Sequence, residues 1–301
     1  MMEITIPVPS GFSFKRTAIS HGWSGLPPFE IDEANWKLTR VIDLSPEHQP
    51  VTVAISGADR AITATLARKV GKRAAEKIAR DVRHMLRLDD DMNSFYALVA
   101  NDTDFNWIVT SGAGRLLRGP TVYEDLVKTI CTTNCSWALT EKMVKVMVSA
   151  LGRETSDGRR AFPTPAAMAA MPESFYREEV RSGYRASYFR ELAERVASGE
   201  LDVESWLASE LPTNELKREM KRVKGVGDYA AENLLKLVGR YDGLALDSWV
   251  RPKFARVRNG GRAVTDKKIE RYYSRFGKWR GLAIWCDLTR DWLDEQDAIR
   301  W

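Results

Sequence analysis

Thiol and imidazole side chains are both scarce in this chain. Its 301 residues include three cysteines (Cys131, Cys135, Cys286) and three histidines (His21, His48, His84). Three thiols cannot supply the four thiolates of an iron–sulfur cluster, and nothing suggests a disulfide framework. The histidines stand far apart, in no spacing that holds zinc, so neither a metal site nor a cofactor is expected. Long apolar runs are missing too, which argues against a membrane span of about 18 residues or more. The opening MMEITIPVPSGFSFKR lacks the apolar core of a secretion signal. The expected location is the reducing cytoplasm, on the nucleoid if the source is bacterial, with no membrane partner.

What the chain does have is the profile of a globular protein, 44% hydrophobic and 29% charged. Its length allows two domains, and its net charge of +5 suits an anionic partner, though many enzymes share that balance. Three early segments alternate with the period of a half-buried strand: Ile4, Ile6, Val8; Val51, Val53, Ile55; Ile62, Ala64, Leu66. SGLPP and SPEHQP punctuate them as turns. After Ala67 the period becomes helical, through Val70, Ala74, Ile78, Val82 and Met85. Thr121 and Glu124 form a capping-box pattern, Gly152 ends a helix, and Thr164 with Pro165 starts another. The expected fold class is α+β, mostly α, with a small antiparallel sheet domain and linking helix over 1–92 and a helical region over 93–301.

The segment VKGVGDYAAENLLKLVGRYDGLALDSWVR, from Val223 to Arg251, carries the chemistry. A helix from about Asn214 must turn sharply into one starting near Asp228, giving a helix-hairpin-helix over about 214–239. Gly225 and Gly227 permit positive φ and close backbone approach. The unpaired amides at the second helix start bind phosphate without any side chain, and lysines and arginines surround them. A plain helical hairpin needs the same glycines. Asp247 follows the apolar LAL and precedes a further helix. It reads as an N-cap, or as a carboxylate placed to stabilise a cation formed nearby.

Gly225, Val226, Gly227 and Asp247 match, in order and spacing, the pattern of the helix-hairpin-helix DNA glycosylases, and the chain is identified as resembling that superfamily. LLRGPTVYEDLVKTICTTNCSWALTEKMVKVM resembles the 8-oxoguanine glycosylase segment that ends in an I-C-S-S-N run, and SGYRASYFRELA its G-Y-R-A-x-Y stretch. FPTPAAMAAMPE and FGKWRGLAIWCDL are similar to elements shared with the alkyladenine (3-methyladenine) glycosylases. The small sheet domain also fits both branches. The resemblance covers most of residues 1–290 and implies a two-lobed helical body behind the sheet.

By that resemblance, the amides of Gly225, Val226 and Gly227 grip the DNA backbone. Asp247 stabilises the oxocarbenium at C1′ of a flipped nucleotide and activates the attacking water. Bifunctional members place a lysine two residues after the second glycine. Here that residue is Tyr229, which cannot form a Schiff base, so the expected enzyme is monofunctional. Tyr229 and Trp249 fall in the base pocket, with Trp23, Trp279 and Trp285 as further candidates there. Asn134 matches the gap-filling asparagine, Tyr184 the wedge, and Arg185 the reader of the opposite base. Asn134 also reads as a helix cap, Arg185 as a phosphate contact, and Tyr229 as core packing.

Departures from the family pattern are equally specific. Leu139 stands where a second arginine reads cytosine, Trp249 replaces a histidine, and Lys224 replaces a proline. Pro252 is expected to interrupt the helix after Asp247, and Asp228 sets a negative charge beside the proposed phosphate site. The expected function is a monofunctional DNA glycosylase of base excision repair, hydrolysing an oxidised or alkylated purine from double-stranded DNA as a monomer without cofactors. The alternatives are a catalytically silent binder of damaged or kinked DNA and a glycosylase for another modified base, such as a modified cytosine.

Overall fold

Period-two alternation at the start of the chain becomes a five-stranded sheet in the computed structural model, which describes residues 1–44, 47–58 and 60–293. Residues 45 and 46 of the expected SPEHQP turn lie outside these, as do residues 294–301 at the end of the helical region. The strands are β1 (Met2–Pro7), β2 (Phe29–Asp32), β3 (Lys37–Ile42), β4 (Val51–Ala58) and β5 (Ala61–Leu66). All pairs are antiparallel and the order is β1-β5-β4-β3-β2. The register puts Ile6 beside Ile62, Val53 beside Leu66 and Ile55 beside Leu38, so one face is apolar and buried.

Two strands were not expected. β2 is a short edge carrying Glu30 and Asp32, and β3 places Arg40 on the buried face opposite Val53. A charge at an inward position breaks the pattern by which a half-buried strand is recognised.

That charge has a partner. Thr121 caps the helix Val122–Thr132 by accepting from Glu124 N at 3.2 Å. The capping box is only half made, because the Glu124 side chain does not return to the helix start. It accepts from Arg40 at 3.0 and 2.5 Å and from Lys128 at 2.7 Å. The amides of Val122 and Tyr123 go instead to Glu204, at 2.9 and 3.0 Å. Arg40 and Lys128 both lie over the Phe29 ring, 4.3 and 5.0 Å from its centre. Two opposite charges hold the Glu124 carboxyl below the usual range despite full burial.

Apolar residues collect in two cores. One runs from the strands through helices Lys72–Met85, Val122–Thr132, Trp137–Leu151 and Ala186–Ala197 to Val238. The other joins residues from Met92 to Leu116 with residues from Tyr241 to Leu288. The chain passes between them at residues 88–92, at 116–117 and at 238–241, the last just after the hairpin helix Asp228–Leu237, beside which a cleft opens.

Removing one member of a buried charge network strands the others. Glu124→Ala is expected to destabilise the protein by roughly 3–5 kcal/mol, whereas replacing Arg40, Glu124 and Lys128 together by apolar residues costs far less. Urea unfolding of the single and triple variants checks this.

Candidate active site

The hairpin joins helix Thr213–Met220 to helix Asp228–Leu237 through a turn closed by Val226 N on Val223 O at 3.1 Å. Its glycines do different work. Gly225 has φ +90°, and a Cβ there would stand 2.9 Å from the Tyr188 ring. Gly227 has φ −84°, open to any residue, and a Cβ there would meet nothing within 4 Å. The expectation of positive φ holds for Gly225 only. Gly227 leaves open space before amides that no side chain caps, while the Val226 side chain is buried as an anchor.

Asp228 now has a physical account. Its carboxylate lies 3.1 Å from Lys217 Nζ and 3.0 Å from Lys221 Nζ, which hold its carboxyl below the usual range. Much of the surrounding basic charge is paired likewise: Lys224 with Glu191, Arg222 with Glu219, Arg251 with Asp266, and Arg258 with Asp287.

Asp247 ends a loop fixed from the hairpin helix. Ala245 sits in the left-handed region at φ +52°, unusual for a residue with a Cβ. Its N–H donates to Glu232 Oε2 at 2.5 Å, and Glu232 is in turn paired with Lys217 at 2.7 Å. Asp247 Oδ1 then accepts from Trp249 N at 2.9 Å and Val250 N at 2.6 Å, capping helix Val250–Arg258. Oδ2 takes no hydrogen bond from the described residues. Pro252 does not interrupt this helix. It lies in the first turn, where no N–H is needed, and the helix runs on to Arg258.

The cleft has a volume of about 1130 Å³ and is lined by Asp247, the hairpin and several aromatic rings. Trp249, Trp285 and Trp292 form one wall, with ring centres 5.7–6.2 Å apart. Trp23 and Trp137 form another, and Gly22 lets Trp137 pack where a Cβ would come within 2.2 Å of its ring. Trp23 is held by its Nε1 donating to Asp125 at 2.7 Å. Trp279, also expected here, packs instead on Phe95 and Tyr241 in the second core, 5.3 and 5.2 Å between centres.

Tyr229, Asn233 and Lys236 line the cleft from one face of the hairpin helix. Burial and the Asp247 charge push the Tyr229 hydroxyl up to about 12, though 36% of the residue is exposed. Lys236 is only 3% exposed, and Nζ lies 5.9 Å from the centre of Trp285. Burial pushes this amine down to about 8, against the opposing pull of Glu232 and Asp247. Partly buried His21, beside Trp23, is driven down to about 4 by desolvation and contacts the Leu117 carbonyl.

At the rim, Asn134 adopts φ +47° and donates to the Tyr184 hydroxyl at 3.4 Å. Tyr184 is half exposed. Arg185 is not at the surface with it: 4% exposed, it donates to Thr133 Oγ1 at 3.2 Å and to the Thr133 carbonyl, and stacks under Tyr184. In this state its fork holds the Asn134 loop.

No family model and no curated protein matches the chain. Known structures do. The 3-methyladenine DNA glycosylase of Archaeoglobus fulgidus superimposes with a TM-score of 0.76 at 21% identity, over 98% of this chain and 100% of that one. The Clostridium acetobutylicum 8-oxoguanine glycosylase/lyase, bound to double-stranded DNA with cytosine opposite 8-oxoguanine, gives 0.73 at 20% identity, over 98% of both chains. MBOgg1 in complex with a low-affinity DNA ligand gives 0.74 at 19%, over 98% and 97%. The chain has the fold of the DNA glycosylases. Within that glycosylase fold, the hairpin, Asp247, Tyr229, Trp249 and the Asn134–Tyr184 pair all border the one cleft.

Sequence reasoning missed Glu232, Trp137 and Trp292, and it set Lys236 aside as an amine outside the position of the family's lysine. Only the i, i+4, i+7 spacing of Tyr229, Asn233 and Lys236 carried a signal, and it reads equally as an ordinary polar stripe. Glu232→Ala removes the acceptor for the strained Ala245 amide and is expected to cost about 1–3 kcal/mol. Asp247→Ala costs about 0.5–2 kcal/mol as a lost cap, whereas Asp247→Asn keeps an acceptor and costs less. Thermal unfolding, with amide exchange at Ala245, Trp249 and Val250, measures all three.

Proposed function

We propose that the protein is a monofunctional DNA glycosylase of base excision repair. It would bind double-stranded DNA as a monomer, flip out a damaged or modified base, with an oxidised or alkylated purine favoured, and hydrolyse its N-glycosidic bond. The observation that carries this reading is Asp247. Backbone amides orient one carboxylate oxygen, and the other takes no hydrogen bond from the described residues, in an aromatic cleft beside an uncapped helix start.

The chemistry follows from that arrangement. Phosphate approaches the amides of Gly225 and Gly227 through the space Gly227 leaves empty, the Val226 amide being spent on the Val223 carbonyl. The extruded base enters between the tryptophans, with Tyr229 at the mouth and Trp249 along the side. As the bond to C1′ breaks, positive charge grows on the sugar, and a nearby carboxylate lowers that barrier and takes the proton of the attacking water. Tyr229, where a lysine would attack C1′, leaves water as the nucleophile. Asn134 and Tyr184 would fill the gap in the duplex. Arg185 would act on the opposite base through the loop it holds. The proteins of like fold are described as acting on 8-oxoguanine and 3-methyladenine, which supports the glycosylase reading.

The test is base release from duplexes carrying single modified bases, each opposite all four bases, with and without hot alkali. Strand breaks are expected only after alkali, and Asp247→Asn should lower release by 100-fold or more while leaving the fold intact. Breaks without alkali would overturn the monofunctional assignment. Tight binding with no release from any duplex would leave a silent DNA binder.

The hairpin has its own test. Gly227→Ala introduces a Cβ into empty space at an ordinary φ, so stability should change by less than about 1 kcal/mol. That Cβ stands in the approach to the amides, so DNA affinity should fall at least tenfold in a filter-binding titration.

A further inference from the structure

Lys236 is a charged side chain of the cleft that the proposed hydrolysis does not use. Its amine is almost wholly buried, lines the cavity, and has no hydrogen bond or ion pair among the described residues. An unpaired ammonium at such a site is costly unless something that enters the site meets it. Tyr229 and Lys236 stand about 10 Å apart along one face of the helix, the first 36% exposed and the second 3%, so the amine is the more enclosed of the two. A base admitted past Tyr229 and stacked on the tryptophans would present its far edge to Nζ.

Resting on the glycosylase reading, we propose that Lys236 is the acid that protonates the departing base, and that the pocket selects a neutral base with an acceptor at its inner edge over a cationic alkylated purine. The electrons balance. The C1′–N bond breaks with its pair going to the base, whose ring nitrogen or carbonyl oxygen takes a proton from the Lys236 ammonium. Water adds to C1′ and gives its proton to Asp247. Net transfer of a proton from Asp247 to Lys236, through solvent, restores the enzyme.

Two physical arguments favour this assignment. A neutral base is a poor leaving group as an anion, and an acid in contact with it removes that difficulty. A base that already carries a positive charge needs no proton and is repelled by the same ammonium. The charged groups facing Nζ are Glu232 on its own helix and Asp247 on the loop. Helix Arg280–Leu288 brings the Trp285 ring, and helix Val122–Thr132 brings the uncharged Thr129 and Thr132. Burial holds the amine near about 8, so it is charged at neutral pH and still willing to release its proton.

The experiment measures single-turnover base release, read after alkali, from duplexes containing hypoxanthine, uracil or 8-oxoguanine as neutral bases and 7-methylguanine as the cationic one. Wild type, Lys236→Met and Lys236→Arg are compared between pH 6 and 10. Wild type should prefer at least one neutral base, with release falling about tenfold per pH unit above about 8. Lys236→Met should shift the neutral-to-cationic ratio by 100-fold or more towards 7-methylguanine. Lys236→Arg, which does not titrate in this range, should lose the break near pH 8.

Equal losses on both kinds of base would overturn the inference and leave the glycosylase reading standing. A borohydride-trapped protein–DNA adduct that vanishes in Lys236→Met would make the amine a nucleophile at C1′ and overturn it differently. No release by wild type from any duplex would sink the glycosylase reading itself, and the inference with it.

Discussion

The Glu124 carboxylate holds the sheet to the helices, and the rest of the site is built outward from that contact. Arg40 reaches it from the buried face of β3 and Lys128 from one turn along the same helix, so three charges share a volume without water. Such a cluster tolerates little displacement, because any loss of geometry leaves an ion unpaired at low dielectric. It therefore fixes the helix Val122–Thr132, whose neighbours form much of the cleft. Asp125 on that helix holds Trp23, Ile130 packs against Gly225, and Thr132 meets the Tyr229 hydroxyl. The chain beyond it turns into the Asn134 loop.

The surface around the hairpin is less basic in effect than its composition implies. Lys217 and Lys221 face Asp228, Lys224 faces Glu191, and Arg222 faces Glu219. An arriving phosphate competes with carboxylates already in place. Backbone amides escape that competition, since their partial charges cannot be neutralised by rearranging a side chain. On the proposed reading, the uncapped start of helix Asp228–Leu237 would take a larger share of the grip than a count of lysines suggests.

The sequence made the frame of the site legible where chemistry depends on local order. The paired glycines, Tyr229 and the aspartate before a helix all lie within one short segment. It was less informative where function depends on residues brought together from afar. Trp279 and Trp292 look alike in the sequence, yet one packs in the second core and the other lines the cleft. Arg185 reads as an exposed fork and is instead buried beneath Tyr184. β3 was hidden by an inward arginine whose partner lies more than eighty residues away. Lys236 could not be told from a solvated lysine until its surroundings were known.

One ammonium also ties the two ends of the cleft together. Lys217 lies 3.1 Å from Asp228, beside the hairpin amides, and 2.7 Å from Glu232, which latches the strained Ala245 two residues ahead of Asp247. The same cation thus balances a charge at the grip and a charge at the latch. A phosphate bound there, as proposed, would change the field at Asp228 and shift the balance of Lys217 between its two partners. On the proposed reading, the loop bearing Asp247 is wired through one side chain to the place where the DNA backbone would be held.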